Sequence, residues 1–371
     1  MKQRMYELDH LRTALTVLVI VFHTSIAYGG AGDWILEDVD KSELNLTMIL
    51  LTIFTAVCQA FFMGLFFFLS AYFIPSSYDR KGAAKFLKDR MIRLGLPLAA
   101  YYFLIGPLTH WYAHLRDDMP VGTYYSRYVW SFDQTFFGPA WFLEASIYFA
   151  FLYAFLRLTP LPGKLRYPLP IPSAWGLAGI AAALGLVSFL VRLVYPTGEG
   201  PLELQLGYFP SYILCFAAGI WAYRGNWLEQ LPDPLVRTWS RIAIVAIPVL
   251  PVAFIATGAL EGNLNFAGGW ELQALLYALW EPFVGFGLIL MLLRWFRIRW
   301  SQTNALLRFG ADHAYAVYVI HPPVIVGWTI AFQGIVLPAA LKWVIVSSLS
   351  VFVCFVLAAL IRRLPGAKRM L

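Results

Sequence analysis

Ten long apolar segments, separated by short polar connections, restrict what this chain can fold into. A helix needs about 20 predominantly apolar residues to cross a membrane, and the ten segments are close to that length or above it. Only 13% of the 371 residues are charged, whereas about a quarter are charged in an average soluble domain. We therefore predict an all-α integral membrane protein with a single transmembrane domain over residues 1–371, about ten transmembrane helices and no soluble domain. The predicted spans are 11–29, 46–74, 94–112, 139–157, 173–195, 207–223, 240–260, 271–293, 306–332 and 338–361.

The Lys and Arg residues alternate between successive connections, and this alternation predicts the topology. Of the 28 Lys and Arg residues, 23 fall on the side of the N-terminus. Basic connections stay in the cytoplasm, so both termini are predicted to be cytoplasmic. A missed span would invert every later connection, so the count of ten and the orientation support each other. The basic residues on the other side are Lys41, Arg116, Arg127, Arg192 and Lys342.

The net charge of +7 and the three cysteines are both consistent with a membrane protein. In a soluble protein such a charge would suggest a nucleic-acid partner, but here the basic residues are topology signals. Cys58, Cys215 and Cys354 lie inside apolar segments, where they are expected to be small buried side chains rather than a disulfide framework or a metal site. No cleavable signal peptide is expected.

Polar side chains at membrane depth are costly, so each of them is a candidate functional residue. The strongest pair is Arg12 and His23 on the first span. Eleven residues are about three helical turns, so the two side chains point to one face, ~16 Å apart along the helix axis. A snorkelling Arg and a hydrogen-bonded core His are the alternative interpretation. The other polar candidates are Gln59, His110, Glu144, Glu281 and His321.

Six segments, in order over residues 6–326, resemble those of the membrane acyltransferase 3 family. The first segment carries the pattern of the family's first helix, an Arg followed by ten residues and then a His. Features of the chain are similar to those of the glucan succinyltransferase type within this family. One departure is that Ala71 follows Ser70 where the family usually has Gly. The segments are YELDHLRTALTVLVIVFHTSIAY (6–28), FFMGLFFFLSAYF (61–73), FLKDRMIRLGLPL (86–98), GPAWFLEASIYF (138–149), FPSYILCFAAGIWAYRGNWL (209–228) and ADHAYAVYVIHPPVIV (311–326).

The resemblance implies acyl transfer from cytoplasmic acyl-CoA to a hydroxyl of a carbohydrate or glycolipid on the far side of a bacterial inner membrane. The donor is a substrate, and no permanently bound cofactor or metal is expected. Coenzyme A is a polyanion, which suits Arg12, Arg90 and Arg93 at a cytoplasmic mouth. Transfer to an alcohol needs a base and donors for the developing oxyanion, and we expect His23 to be the base.

Glu144, His321 and Tyr318 complete the predicted catalytic set, each with a structural alternative. Glu144 either orients an imidazole or pairs with a basic residue of a connection. His321 either lines the site or caps a helix break, which Pro322 and Pro323 are expected to cause. Tyr318 is one turn away from His321 and is expected to have the same role, in the site or at the break.

The sequence leaves more than one possibility open for the acyl group and for the function class. The acyl group is acetyl or succinyl, and surface polysaccharide modification, for example O-acetylation, is the expected role. The main rival is a proton-coupled transporter without catalytic activity, since buried His and Glu residues would suit one. Carriers usually show repeats between their halves, and this sequence shows none. A structural or regulatory membrane subunit is the third reading.

Overall fold

A computed structural model describes residues 4–41, 45–114, 119–159 and 169–371 of the chain. Within these ranges the structure consists of helices and connections, without a strand. Four basic residues used for the topology prediction, Lys2, Arg116, Lys164 and Arg166, lie outside the described residues.

Ten helices of the described ranges are long and apolar enough to cross a membrane, which confirms the predicted fold class. Their length and composition make the chain a multi-pass membrane protein. We number them α1 to α10. They are α1 Tyr6–Ala27, α2 Leu46–Tyr72, α3 Ile74–Ala113, α4 Gly138–Leu158, α5 Ala174–Arg192, α6 Leu206–Gly225, α7 Asp233–Ala256, α8 Leu272–Arg299, α9 Ala305–Phe332 and α10 Ala339–Ile361.

Helix α3 differs most from its predicted span, because the basic connection 75–93 is helical and continues directly into the apolar part. Lys, Arg and Ala are good helix formers, so this segment needs no apolar face to become helical. A single interruption occurs at Gly82, which has φ 72°, a left-handed conformation that glycine adopts without a Cβ penalty.

Prolines inside the helices free backbone carbonyls, and polar side chains bind three of them. A proline has no N–H, so the carbonyl four residues earlier loses its helical partner. Tyr315 Oη donates to the carbonyl of Arg93, four residues before Pro97, at 2.6 Å. Tyr125 Oη donates to the carbonyl of Phe103, four residues before Pro107, at 3.2 Å. The third case is in α9.

The helix break predicted at Pro322 and Pro323 is wrong, since α9 is continuous from Ala305 to Phe332. The carbonyl of Tyr318, four residues before Pro322, accepts a hydrogen bond of 2.5 Å from Nδ1 of His321. A side chain from the same turn therefore replaces the missing N–H, as is common for prolines in membrane helices.

The chain divides into two compact units. Unit 1 comprises Met1–Leu11, Ala56–Ala83 and Leu152–Thr303, and unit 2 comprises Arg12–Thr55, Ala84–Phe151 and Asn304–Leu371. In unit 1, α5 and α8 are in close contact at Gly185. A Cβ at this position would lie only 2.8 Å from the carbonyl oxygen of Ala278. Unit 2 contains α9, α10 and most of α1.

Three of the five basic residues that departed from the charge alternation have acidic partners. Arg192 of α5 is buried and pairs with Glu281 of α8. Lys342 of α10 pairs with Asp38 at 2.6 Å, and Lys41 pairs with Glu37 at 2.8 Å. An ion pair carries no net charge, so these residues do not oppose the predicted orientation.

Candidate active site

Two histidines from opposite ends of the sequence meet inside unit 2. Nε2 of His321, on α9, lies 3.1 Å from Nδ1 of His23, near the end of α1. The two ring centroids are 5.0 Å apart and the ring planes are 21° from parallel. His321 is completely buried, and it reaches His23 at the end of α1 opposite to Arg12. The structure therefore brings together two of the predicted catalytic residues.

The hydrogen bonds assign the tautomer of each ring. A carbonyl oxygen can only accept, so Nδ1 of His321 must donate its N–H to the carbonyl of Tyr318. Neutral His321 then has a lone pair on Nε2, which accepts the N–H of His23 Nδ1. Nε2 of neutral His23 consequently carries a lone pair and no proton, as a general base requires.

Tyr318 contributes its backbone more directly than its side chain. Its carbonyl orients His321, while its hydroxyl donates to the carbonyl of Pro139 at the start of α4. Its ring lies 6.0 Å from that of Phe142, at a T-shaped angle. These contacts connect the turn of α9 that carries His321 to α4, and a catalytic role for Tyr318 stays a prediction.

A segment that follows α1 covers the histidine pair. Trp34 stacks on His23 with ring centroids 4.3 Å apart and planes 24° from parallel. Asp38 N–H donates to the carbonyl of Ala27 at 2.9 Å, and its carboxylate pairs with Lys342 of α10. Burial, and then the charge of Asp38, raise the pKa of Tyr28 to about 12, so its hydroxyl stays protonated. The segment that carries Trp34 is therefore held at Asp38 by contacts to the end of α1 and to α10.

The predicted donor-binding arginines cluster at the other end of α1. Arg90 interacts electrostatically with Arg93 and Arg12, and its guanidinium lies over the ring of Phe86 at 5.2 Å from the ring centroid. Tyr315 of α9 binds the carbonyl of Arg93 and so fixes the π-helical turn Met91–Gly95. Cationic side chains therefore lie close together here, with the carboxylate of Asp89 beside them, as in a site for a polyanion.

A basic cavity of about 500 Å³ opens beside Arg93. Its other cationic side chains are Lys85 and Lys88 of α3 and Arg369 of the C-terminal segment. The carboxylate of Asp89 lies among them. Sequence reasoning named neither lysine as a ligand and passed over Arg369, because the tail was read only as a topology signal.

Glu144 has a hydrogen-bond partner on its own helix, four residues further along the chain. It is buried on α4, and its Oε1 accepts a hydrogen bond of 2.6 Å from Tyr148 Oη. A catalytic role for Glu144 stays a prediction. Among the other polar candidates, Gln59 bonds Tyr212 at 3.0 Å, and both Gln59 and Glu281 have their partners within unit 1.

Trp34 was also missed by sequence reasoning. It lies in an acidic connection, outside every predicted span, and an isolated Trp at a membrane boundary is normally an interfacial anchor. The one available signal was proximity, since it follows His23 by only eleven residues.

Comparison with known proteins gives two findings. A family model described as "Acyltransferase domain" matches residues 5–359. Curated Escherichia coli proteins named "Glucans biosynthesis protein C", from strains K12, K12 / DH10B and K12 / MC4100 / BW2952, are 33% identical to the chain over 96 residues. That match spans 26% of this chain and only 23% of each relative. No solved structure matches the chain.

Proposed function

Because the chain belongs to the acyltransferase-domain family, we propose that it is an O-acyltransferase of a bacterial inner membrane, using cytoplasmic acyl-CoA. The acceptor is a hydroxyl of an extracytoplasmic carbohydrate or glycolipid, and the acyl group is acetyl or succinyl. The observation that carries the proposal is the hydrogen-bonded chain from the Tyr318 carbonyl through His321 to His23.

The chemistry at His23 follows from its tautomer. The acceptor hydroxyl gives its proton to Nε2 of His23 while its oxygen attacks the thioester carbonyl. The C–S bond then breaks, the new ester C–O bond remains, and the departing thiolate takes the proton from His23. During attack His23 becomes an imidazolium, whose Nδ1–H still donates to His321. His321 therefore holds the ring in orientation through the whole cycle, as a positioning partner does in other histidine bases.

The basic cluster suits the donor. The nucleotide part of coenzyme A carries several phosphate charges, and Arg12, Arg90 and Arg93 with the cavity of Lys85, Lys88 and Arg369 offer matching cations. Arg12 and His23 are ~16 Å apart along α1, a distance that the extended arm of the coenzyme has to bridge. Only the acyl group then changes sides. Membrane lipid surrounds the protein, and no nucleic acid takes part.

The test is the loss of acyl transfer in variants of His23. Purified protein is reconstituted with acetyl-CoA or succinyl-CoA and a soluble glucan oligosaccharide, and both free thiol and acylated glucan are measured. His23→Ala and His23→Gln are expected to lose about 10²–10⁴ in rate, because neither side chain accepts the proton. His313→Ala is the control, since that histidine is on α9 but bonds its own helix at Phe309. A His23→Ala rate within tenfold of the wild-type rate would remove His23 as the base.

Cell-surface glycans provide a second test, which also identifies the acyl group. Mass spectrometry of cells with and without the gene separates an acetyl from a succinyl substituent by its mass. A substrate taken up without any acylated product would favour the transporter instead.

A further inference from the structure

The indole of Trp34 lies where a substrate of His23 has to bind. Its ring is stacked directly on His23, and its centroid is 6.3 Å from that of His321 with the planes 19° from parallel. A general base must come within about 3 Å of the proton that it takes. A substrate oxygen at Nε2 of His23 is therefore in the immediate surroundings of this indole.

Trp34 has an unused hydrogen-bond donor. Its Nε1 is buried and has no hydrogen-bond partner among the described residues. A buried indole N–H normally finds an acceptor, and leaving one unsatisfied costs free energy. Trp343, in the same aromatic cluster, illustrates the usual situation, since its Nε1 donates to the carbonyl of Val21 at 3.2 Å.

The position of Trp34 is built into the fold rather than left to a loose connection. Trp34 packs on a cluster around Ala27, Tyr28, Leu51 and Val346. The backbone before it is held by Ala31 N–H, which donates to Thr52 Oγ1 at 3.2 Å. The backbone after it is held by the Asp38 contacts described above. An unsatisfied donor that is held this firmly beside a base implies a ligand that completes it.

We propose that Trp34 is a further substrate-binding residue, which donates its Nε1–H to an oxygen of the acceptor carbohydrate while that acceptor lies against His23. Carbohydrates suit this position, because they combine many oxygen acceptors with C–H faces that pack on aromatic rings. This inference rests on the proposed acyl transfer, and it concerns the acceptor alone. The donor approaches from the Arg12 end of α1, so its binding does not involve Trp34.

The test separates acceptor binding from donor chemistry. Trp34→Phe removes the N–H and keeps an aromatic ring. Transfer to a soluble glucan oligosaccharide is measured together with hydrolysis of the same acyl-CoA, in which water replaces the acceptor. We expect the KM for the oligosaccharide to rise about tenfold, the worth of one hydrogen bond of this kind, while the KM for acyl-CoA stays unchanged and the rate of hydrolysis falls by less than the rate of transfer.

Two further variants make the result specific. Trp34→Tyr restores a donor on an aromatic ring and is expected to recover part of the acceptor affinity. Trp328→Phe is the matched control, because Trp328 packs in the same cluster without stacking on His23, and its acceptor KM is expected to equal that of the wild-type protein.

The following outcomes contradict the inference or its premise. An unchanged acceptor KM in both Trp34→Phe and Trp34→Tyr overturns it. A parallel fall of transfer and hydrolysis, or loss of folding in both variants, assigns Trp34 a structural role instead and also overturns it. Failure of the proposed function looks different, since the wild-type protein would then acylate nothing and His23→Ala would match it.

Discussion

A neutral imidazole has one N–H and one lone pair, and only their placement decides whether it can act as a base. Here that placement derives from a proline. Pro322 lacks an N–H, the carbonyl of Tyr318 is freed, His321 binds it, and His23 is left with its lone pair on Nε2. The sequence pointed to each of these residues, but it suggested a broken helix where the structure has a donor replaced by a side chain.

The role of His321 as an orienting residue leads to the first prediction at this scale. His321→Phe keeps a ring of similar size and removes both hydrogen bonds, so kcat is expected to fall roughly 10- to 100-fold, as it does when a partner that orients a functional histidine is lost. The KM for acyl-CoA is expected to stay within twofold, since the charged part of the donor binds at the other end of α1. The measurement is steady-state kinetics with His313→Ala alongside. A fall in donor affinity that matches the fall in kcat would indicate a collapsed helix instead.

The basic cavity gives a second prediction for individual residues. Arg369→Ala and Lys88→Ala each remove a cation that lines it. Each variant is expected to raise the KM for acyl-CoA roughly threefold to tenfold at low salt, with a smaller effect at high salt because ions screen exposed charges. Arg80→Ala is the control, as an exposed cation of α3 that does not line the cavity. Equal effects of all three variants would show that only the net charge matters.

Which site residues could be related to each other from the sequence depended on their separation along the chain. Arg12 and His23 share one helix, so helical geometry alone related them. The contact between His23 and His321 joins residues 298 positions apart, and no local pattern encodes such a pairing. Trp34 has no periodic neighbours and was passed over for the same reason.

At the scale of helices, prolines act by redistributing hydrogen bonds. Tyr315, Tyr125 and His321 each bind a carbonyl that a proline has freed. In two of the three cases the acceptor belongs to α3, and the tyrosine that binds it comes from another element. The predicted break in α9 was wrong because a proline only breaks a helix when nothing else satisfies the carbonyl.

The buried pair of Arg192 and Glu281 supplies the prediction for packed helices. Glu281→Gln leaves a buried guanidinium without its counter-ion, so the free energy of unfolding in detergent is expected to fall by about 3–5 kcal/mol. Replacing both residues, as Arg192→Met with Glu281→Met, is expected to regain most of that loss. Denaturant unfolding followed by circular dichroism measures both, with Glu261→Gln as an exposed control. A double variant as unstable as the single one would contradict the pairing argument.

For the whole molecule, hydropathy and charge were sufficient to predict ten spans, and the described part of the chain contains ten helices that could cross a membrane. The reason is physical, because only helices satisfy the backbone in lipid and each needs a fixed minimum length. Helix ends were less predictable, since the basic segment before α3 forms helix without being apolar. The division into two units was not predicted, because it depends on which helices pack together.

The orientation of the molecule is the last prediction, and its motive is the alternation of basic connections. Single cysteines are introduced at Arg80, before the apolar part of α3, and at Val336, which is 99% exposed between α9 and α10. An impermeant thiol reagent added to intact cells is expected to label Val336→Cys and to leave Arg80→Cys unlabelled until the membrane is opened. The native cysteines are buried, so the wild-type chain is the blank. Labelling of Arg80→Cys in intact cells would reverse the topology.

The hydrogen-bonded chain that begins at His23 ends on an amide oxygen. Amide oxygens accept hydrogen bonds readily, but they do not take up protons under physiological conditions. A proton received by His23 can share its charge with His321 and then has to return by the way that it came. The hydrogen-bonded chain therefore offers a proton no route across the membrane, and the proposed base at His23 would not dissipate the proton-motive force through it.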